Sequence, residues 1–305
     1  LNGPGWKISR IPKEKNKMHK KMFFAVFSVL VILAIAVAPA GAITNNWVED
    51  NEHPFVGLVV FYDTDGEFIW RCSGSLISPT KFLTAGHCTD IAEGAASARV
   101  YFQQDAGANY DPATQVDPVS GYPEYCAAGT EGTLCVTSHE LYNYGFANFA
   151  GFPNTHDVGV VILDQPITLS EYGQLPSVGA LDNLGTARGQ KNTVFTVSGY
   201  GLTYSTNPKD ALPNISFRSR LMGMSTLVNL NSAQNDGFNL QTQGNGDDRG
   251  GTCSGDSGGP VFLGGPDSNV IVAVTSFGLN SLCRGTDFGY RVDRAEVLDW
   301  IANPY

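Results

Sequence analysis

What most limits the folds open to this chain is a set of apolar runs only seven to ten residues long. FVGLVVFY (55–62), DVGVVIL (157–163), NTVFTVSGYG (192–201) and NVIVAVTSFG (269–278) alternate in polarity or are rich in β-branched and aromatic residues. Clusters of Gly, Pro, Asn and Asp separate them. Such segments suit a pleated surface, so they read as strands of a sandwich or barrel. The 35 glycines among 305 residues supply the turns such a fold needs. Only DRAEVLDWIANPY (293–305) has helical spacing: Ala295, Val297, Leu298 and Ile301 can share one face, and a helix there should end before Pro304. Residues 103–156 are dominated by Gly, Ala, Asp and Pro and read as an exposed, extended loop region.

The N-terminus has another character. A basic cluster, His19, Lys20 and Lys21, precedes an uncharged apolar run from Met22 to Ala38, which Pro39 ends. Ala40-Gly41-Ala42 then fits the small-x-small pattern of a signal-peptide cleavage site. A membrane anchor and a buried core helix are the alternatives. The run is long for a signal core and short for a bilayer span of about 20 residues. The proline and the Ala-x-Ala favour cleavage, after Ala42 or after Ala40. Residues 1–42 are therefore expected to be an N-terminal extension and signal peptide, removed on export. The mature part, 43–305, should be secreted, soluble and free of the membrane.

Charge excludes one class of partner. Residues 1–42 hold seven Lys/Arg and one acid, which leaves 12 basic and 28 acidic residues in 43–305, a net charge near −16. A phosphate backbone would be repelled, so no nucleic acid partner is expected. Export implies an oxidising compartment in which cysteines pair. The six cysteines, Cys72, Cys88, Cys126, Cys135, Cys253 and Cys283, allow fifteen connectivities. Pairing of sequence neighbours is the simplest: Cys72–Cys88, Cys126–Cys135 and Cys253–Cys283. There is no C-x-x-C and the five histidines are scattered, so the spacing does not match a zinc site. Neither a metal nor an organic cofactor is implied. Asn214-Ile215-Ser216 is a glycosylation sequon for a eukaryotic or archaeal secretory route.

Three local features carry chemistry. LTAGHC places His87 directly before Cys88, HDVGVVILD places Asp157 at the head of an apolar strand, and GTCSGDSGGP sets Ser257 among glycines. A serine hydroxyl is a weak nucleophile until a base takes its proton. A neutral imidazole does this near neutral pH, and a buried carboxylate fixes the tautomer and stabilises the imidazolium. Backbone N–H groups of a glycine loop can then receive the oxyanion. His156 is an equal candidate by residue type. It is assigned a structural role, because on a strand it would point away from its neighbour Asp157.

CSGSLISPTKFLTAGHC, HDVGVVIL, GGTCSGDSGGP and VTSFG occur in the order found in the trypsin/chymotrypsin family of serine peptidases, which the chain resembles from about Ile43 to its C-terminus. The resemblance implies an all-β fold of two six-stranded antiparallel Greek-key β-barrels, approximately 43–165 and 166–305, with the active site between them and a C-terminal helix. It implies a serine endopeptidase working through an acyl-enzyme, with His87 as general base and acid, Asp157 as its orienter and Ser257 as nucleophile. The N–H groups of Gly255 and Ser257 would form the oxyanion hole. Ser276 would support Asp157, and Ser276, Phe277 and Gly278 would line the substrate cleft. The resemblance supports Cys72–Cys88 and Cys253–Cys283; Cys126–Cys135 rests on proximity alone. Protein or peptide substrates and protein inhibitors are the expected partners, and a monomer the expected state.

The resemblance also implies a switch. A free N-terminal Ile43, made directly by signal cleavage after Ala42, would pair with Asp256. The residue at the pocket floor would be Gly251, which carries no charge to select a substrate. On the opposite wall, one alignment places Asp287 in the pocket and gives basic specificity. Another places Phe288 there and favours small side chains. Two other functions compete: a peptidase-like binding protein with a weak site, and an esterase on the same triad.

Overall fold

The computed structural model describes residues 43–106, 135–184, 193–203, 218–245 and 248–305. The leader assigned to 1–42, Cys126 with its pairing to Cys135, and the sequon at Asn214 lie outside the described residues. Two short strands come first, β1 (Thr44–Asn45) and β2 (Val48–Glu49). Seven more follow: β3 (Val56–Tyr62), β4 (Phe68–Leu76), β5 (Lys81–Thr84), β6 (Ser97–Tyr101), β7 (Cys135–Ser138), β8 (Glu140–Asn143) and β9 (Gly159–Ile162). These seven form one antiparallel sheet in the order β7-β6-β3-β4-β5-β9-β8.

The later strands are β10 (Val194–Gly199), β11 (Leu221–Asn229), β12 (Asn239–Gln243), β13 (Gly250–Gly251), β14 (Pro260–Leu263), β15 (Ile271–Gly278) and β16 (Thr286–Arg291). Six of them run β10-β14-β15-β16-β12-β11, and β10 pairs again with β11, closing a six-stranded barrel. The expected all-β, two-barrel architecture is present. It differs in detail, because the first sheet has seven strands and β2 is appended to the second barrel beside β11. Among the described residues there is one α-helix, α1 (Ala295–Ala302), close to the C-terminus. Val297 and Ile301 are buried, whereas Ala295 is exposed and lies outside the apolar face expected for it.

The local reasons are visible in the first sheet. All seven residues of β3 are buried, so the run is apolar on both faces. Gly57 and Gly74 are register partners. A Cβ at Gly74 would lie 2.4 Å from the Phe82 ring, and one at Gly57 3.0 Å from it. The two glycines thus make room for Phe82, which packs edge-on against Phe102 with centroids 5.9 Å apart. The expectation of a loop over 103–156 is corrected in part. β7 and β8 pair with β6 and β9, and their four-residue runs, CVTS and ELYN, are too short to show a period. His156 is not on a strand: β9 begins at Gly159, and His156 has φ 52°. Its ring packs on Tyr144, with centroids 5.2 Å apart.

A buried polar knot ties the second barrel to the first sheet. Arg220, 4% exposed, donates from Nε to the Asp50 carbonyl (2.9 Å) and from Nη1 to the carbonyls of Val56 and Phe102 (3.0 Å each). The Asp50 carboxylate meets His53 Nδ1 at 2.9 Å and accepts the Ser198 hydroxyl. Burial alone would raise the Asp50 pKa, but His53, Ser198 and Arg220 outweigh it and hold it low. His53 stacks on Phe262 with centroids 4.3 Å apart.

Candidate active site

His87 stands in the turn after β5, fixed by the Cys72–Cys88 disulfide at its shoulder. Its Nδ1 lies 2.9 Å from Asp157 Oδ2, and its backbone N–H donates to Asp157 Oδ1 at 2.8 Å. Asp157 is wholly buried just before β9, and β9 pairs with β5, so the pairing brings the two residues together. The Ser276 hydroxyl on β15 also donates to Asp157 Oδ2. Burial by itself would raise the Asp157 pKa. The charge and hydrogen bonds of His87, with the Ser276 hydroxyl, overcome this and hold it low. For His87, burial pulls the pKa down, but Asp157 and, less strongly, Asp90 leave it raised. The imidazole is thus oriented through Nδ1, which leaves Nε2 for proton transfer.

The serine loop is seated against this segment by glycines. Gly258 has φ 77°, and a Cβ there would fall 2.0 Å from Thr84 Oγ1 and 2.6 Å from the Ala85 nitrogen. Backbone bonds from Gly258 N to Thr275 O (2.7 Å) and from Ser73 N to Ser257 O (2.8 Å) hold the loop to both sheets. Among the described residues no hydrogen bond joins His87 to Ser257, a contact that commonly tightens only in the substrate complex. Nor do the N–H groups of Gly255 and Ser257 find an acceptor there, which leaves two backbone donors in one loop.

Asp256 points the other way, into the protein. Fully buried, its carboxylate accepts Cys253 N–H at 2.9 Å and Gly201 N–H at 2.8 Å, and the Ile43 backbone amide also reaches it. Burial, with the nearby Asp287 charge adding to it, pushes its pKa up to about 7. Glycines clear the space: a Cβ at Gly199 would lie 2.4 Å from Asp256 Oδ1, and one at Gly201 2.6 Å from its Cγ. Ile43 is completely buried, with Gly223 and Gly250 beside its Cγ2, and Thr44 pairs with Gly251 through β1 and β13. Sequence reasoning missed Gly199, Gly201, Gly223 and Gly250. Their only signal was glycine on otherwise strand-like segments.

A cavity of about 360 Å³ opens beside Ser257. Its walls are Thr252–Ser254 and Thr275–Ser281, clamped by the Cys253–Cys283 disulfide, and Asp287 lines it. The Asp287 carboxylate accepts Thr252 N–H at 3.0 Å. Gly251, expected at the pocket floor, is not among the lining residues; a Cβ there would meet Asp287 Oδ2 at 2.8 Å, so the carboxylate leaves no room for a side chain at that position. Phe288, the next residue on β16, faces the core and stacks on Phe277 at 4.5 Å. Alternation along β16 thus separates the two candidates: Asp287 lines the cavity and Phe288 does not.

A second hollow lies across His87, lined by Trp70, Asp90, Glu93, Phe146 and Phe149 among others. Phe149 and Phe152 meet the Phe277 ring edge-on, continuing an aromatic wall that the sequence reading left inside a featureless loop. Cys72, His87 and Cys88 come close enough to suggest a metal cluster, but both sulfurs are joined in the disulfide, which leaves one imidazole. Among the described residues no helix is long and apolar enough to cross a membrane.

Comparison with known proteins adds three findings. The Trypsin family matches residues 44–301. Brachyurin of Leptuca pugilator is 32% identical over 246 residues, covering 76% of this chain and 87% of its own, and Lectizyme of Glossina austeni is 29% identical over 271 residues, covering 84% and 87%. A solved HL collagenase structure superposes with a TM-score of 0.57 at 20% identity, over 83% of this chain and 94% of that one, a likeness of fold.

Proposed function

The chain belongs to the trypsin family, and on that premise we propose that it is a secreted serine endopeptidase that cleaves protein or peptide substrates. His87 takes the proton of Ser257 through Nε2, while Asp157 holds the ring and stabilises the imidazolium. Ser257 Oγ bonds to the carbonyl carbon, and the amide nitrogen leaves with the proton that His87 returns. Water then repeats the cycle on the acyl-enzyme. The free N–H groups of Gly255 and Ser257 receive the oxyanion; a comparable donor is worth about 2.7–4 kcal/mol. The observation that carries this reading is the buried Asp157 gripping His87 at 2.9 Å while Ser276 holds it from the other barrel.

The same reading extends to activation and specificity. Release of the chain at Ile43 would convert its amide into an ammonium beside Asp256, supplying the cation that this carboxylate lacks. Asp287 would favour substrates with Arg or Lys on the acyl side of the scissile bond.

Two measurements test the proposal. A fluorophosphonate probe should label the exported protein at Ser257 and fail on Ser257→Ala; absence of labelling on correctly processed protein would favour a binding protein on the same fold. N-terminal sequencing should begin at Ile43, and any other mature start removes the activation scheme.

A further inference from the structure

We propose that the Asp287 pocket exchanges its preferred substrate side chain with pH, taking Arg and Lys when Asp287 is ionised and uncharged side chains when it is protonated. This rests on reading the cavity beside Ser257 as the site for the side chain on the acyl side of the scissile bond. The argument is geometric first. Asp287 lines that cavity, which at about 360 Å³ has room for an extended basic or aliphatic side chain. Among the described residues its carboxylate is held by Thr252 alone, through the backbone N–H at 3.0 Å and the side chain.

Among the described residues nothing cationic is paired with it. The neighbouring strands are β12 (NLQTQ), β13 (GG) and β15 (IVAVTSFG), none of which carries a charge. On β16 itself, Arg291 is engaged by Asp293 and Asp182. Asp248 and Arg249 precede β13, and Arg284 lies on the 279–285 loop, but no salt bridge joins either arginine to Asp287. The charged group that does act across the loop is another carboxylate, Asp256. A carboxylate so placed is costly to ionise unless a cation comes to it. Burial, opposed by the Thr252 hydrogen bonds, accordingly pushes the Asp287 pKa up to about 7. A Lys or Arg side chain would bring the cation. An aliphatic side chain would meet a neutral carboxyl and a wall built by Phe277, Leu279 and the disulfide.

The test compares kcat/KM for two peptides that differ only in Arg or Leu at that position, using exported, processed enzyme from pH 5.5 to 8.5. Both values carry the same His87 and Asp256 titrations of free enzyme, so their ratio isolates the pocket. For a group titrating near 7, each peptide's kcat/KM should change about 30-fold in opposite directions, so the Arg/Leu ratio should rise about 1,000-fold across this range, and Asp287→Asn should leave it low and flat. Inhibition by benzamidine, an arginine mimic that reports the ionised form alone, should strengthen about 30-fold on the wild type and needs no variant to fold. A flat ratio that favours Arg throughout overturns the exchange while leaving basic specificity in place. A flat ratio that favours Leu overturns both. No cleavage of either peptide by fluorophosphonate-reactive enzyme removes the endopeptidase reading and this inference with it.

Discussion

Asp256→Asn should move stability in opposite directions in two forms of the same chain. The first form begins at Gly41, so that Ile43 offers only an amide; the second begins at Ile43 with a free ammonium. In the first form Asp256 is buried without a cation, and its pKa of about 7 lies above the ordinary aspartate value of 3.8. A raised folded pKa means stability that is intact below the unfolded value and lost as pH rises through the folded one. The loss therefore accumulates between about pH 4 and 7 and reaches about 4 kcal/mol at pH 8. Asparagine removes that loss. It also turns an NH₂ towards one of the amides of Cys253 and Gly201, which costs about 1–3 kcal/mol. The net gain at pH 8 is about 1–3 kcal/mol, and it disappears near pH 4. In the second form the substitution strips an ammonium of its partner and should cost about 3–5 kcal/mol. Urea unfolding of both forms in a Ser257→Ala background, at pH 4 and pH 8, measures all four values. Parallel pH profiles of wild type and variant in the Gly41 form would refute the reasoning.

Three further outcomes follow from the packing. Gly201→Ala places a Cβ 2.6 Å from the Asp256 Cγ, so it should displace the serine loop; fluorophosphonate labelling should slow at least tenfold, about 1.4 kcal/mol, while far-UV circular dichroism stays native. Arg220→Met removes the Arg220 donor from the buried carbonyls of Asp50, Val56 and Phe102, of which Val56 keeps the Tyr200 hydroxyl at 3.5 Å, and should cost about 1–3 kcal/mol for each carbonyl left unpaired in urea unfolding. Ser276→Ala removes a donor from the depressed carboxylate of Asp157. The cost should be about 1.5–3 kcal/mol at pH 7 and fade as pH falls through the range where Asp157 protonates, read as a converging difference in urea midpoints.

The sequence made the candidate site legible because each part lies in a compact local context. His87 sits beside a clamped cysteine, Asp157 heads an apolar strand and Ser257 sits in a glycine loop. The strand class was legible for the same reason, since β3, β10 and β15 are long enough to show their composition. What stayed hidden depends on contacts between distant segments. Gly251 looked uninformative because its reason, the Asp287 carboxylate, lies 36 residues further on. The choice between Asp287 and Phe288 needed the register of β16 against β12 and β15, which a one-residue slip would invert. The knot around Arg220 gave no signal at all, as its partners are mostly backbone carbonyls and those carry no residue identity.

That knot also sets the length of a leash. β2 is paired at Val48 and Glu49 with Met222 and Leu221, and Asp50 is gripped directly behind it, so even with β1 parted from β13 a terminus released at Ile43 hangs only five residues from a fixed point. Five residues extend at most about 17 Å. One amine confined to a half-sphere of that radius is present at an effective concentration on the order of 0.1 M, so its search for Asp256 is intramolecular and independent of protein concentration. Activation should therefore neither slow on dilution nor yield to millimolar amounts of a free dipeptide offered as a competing terminus.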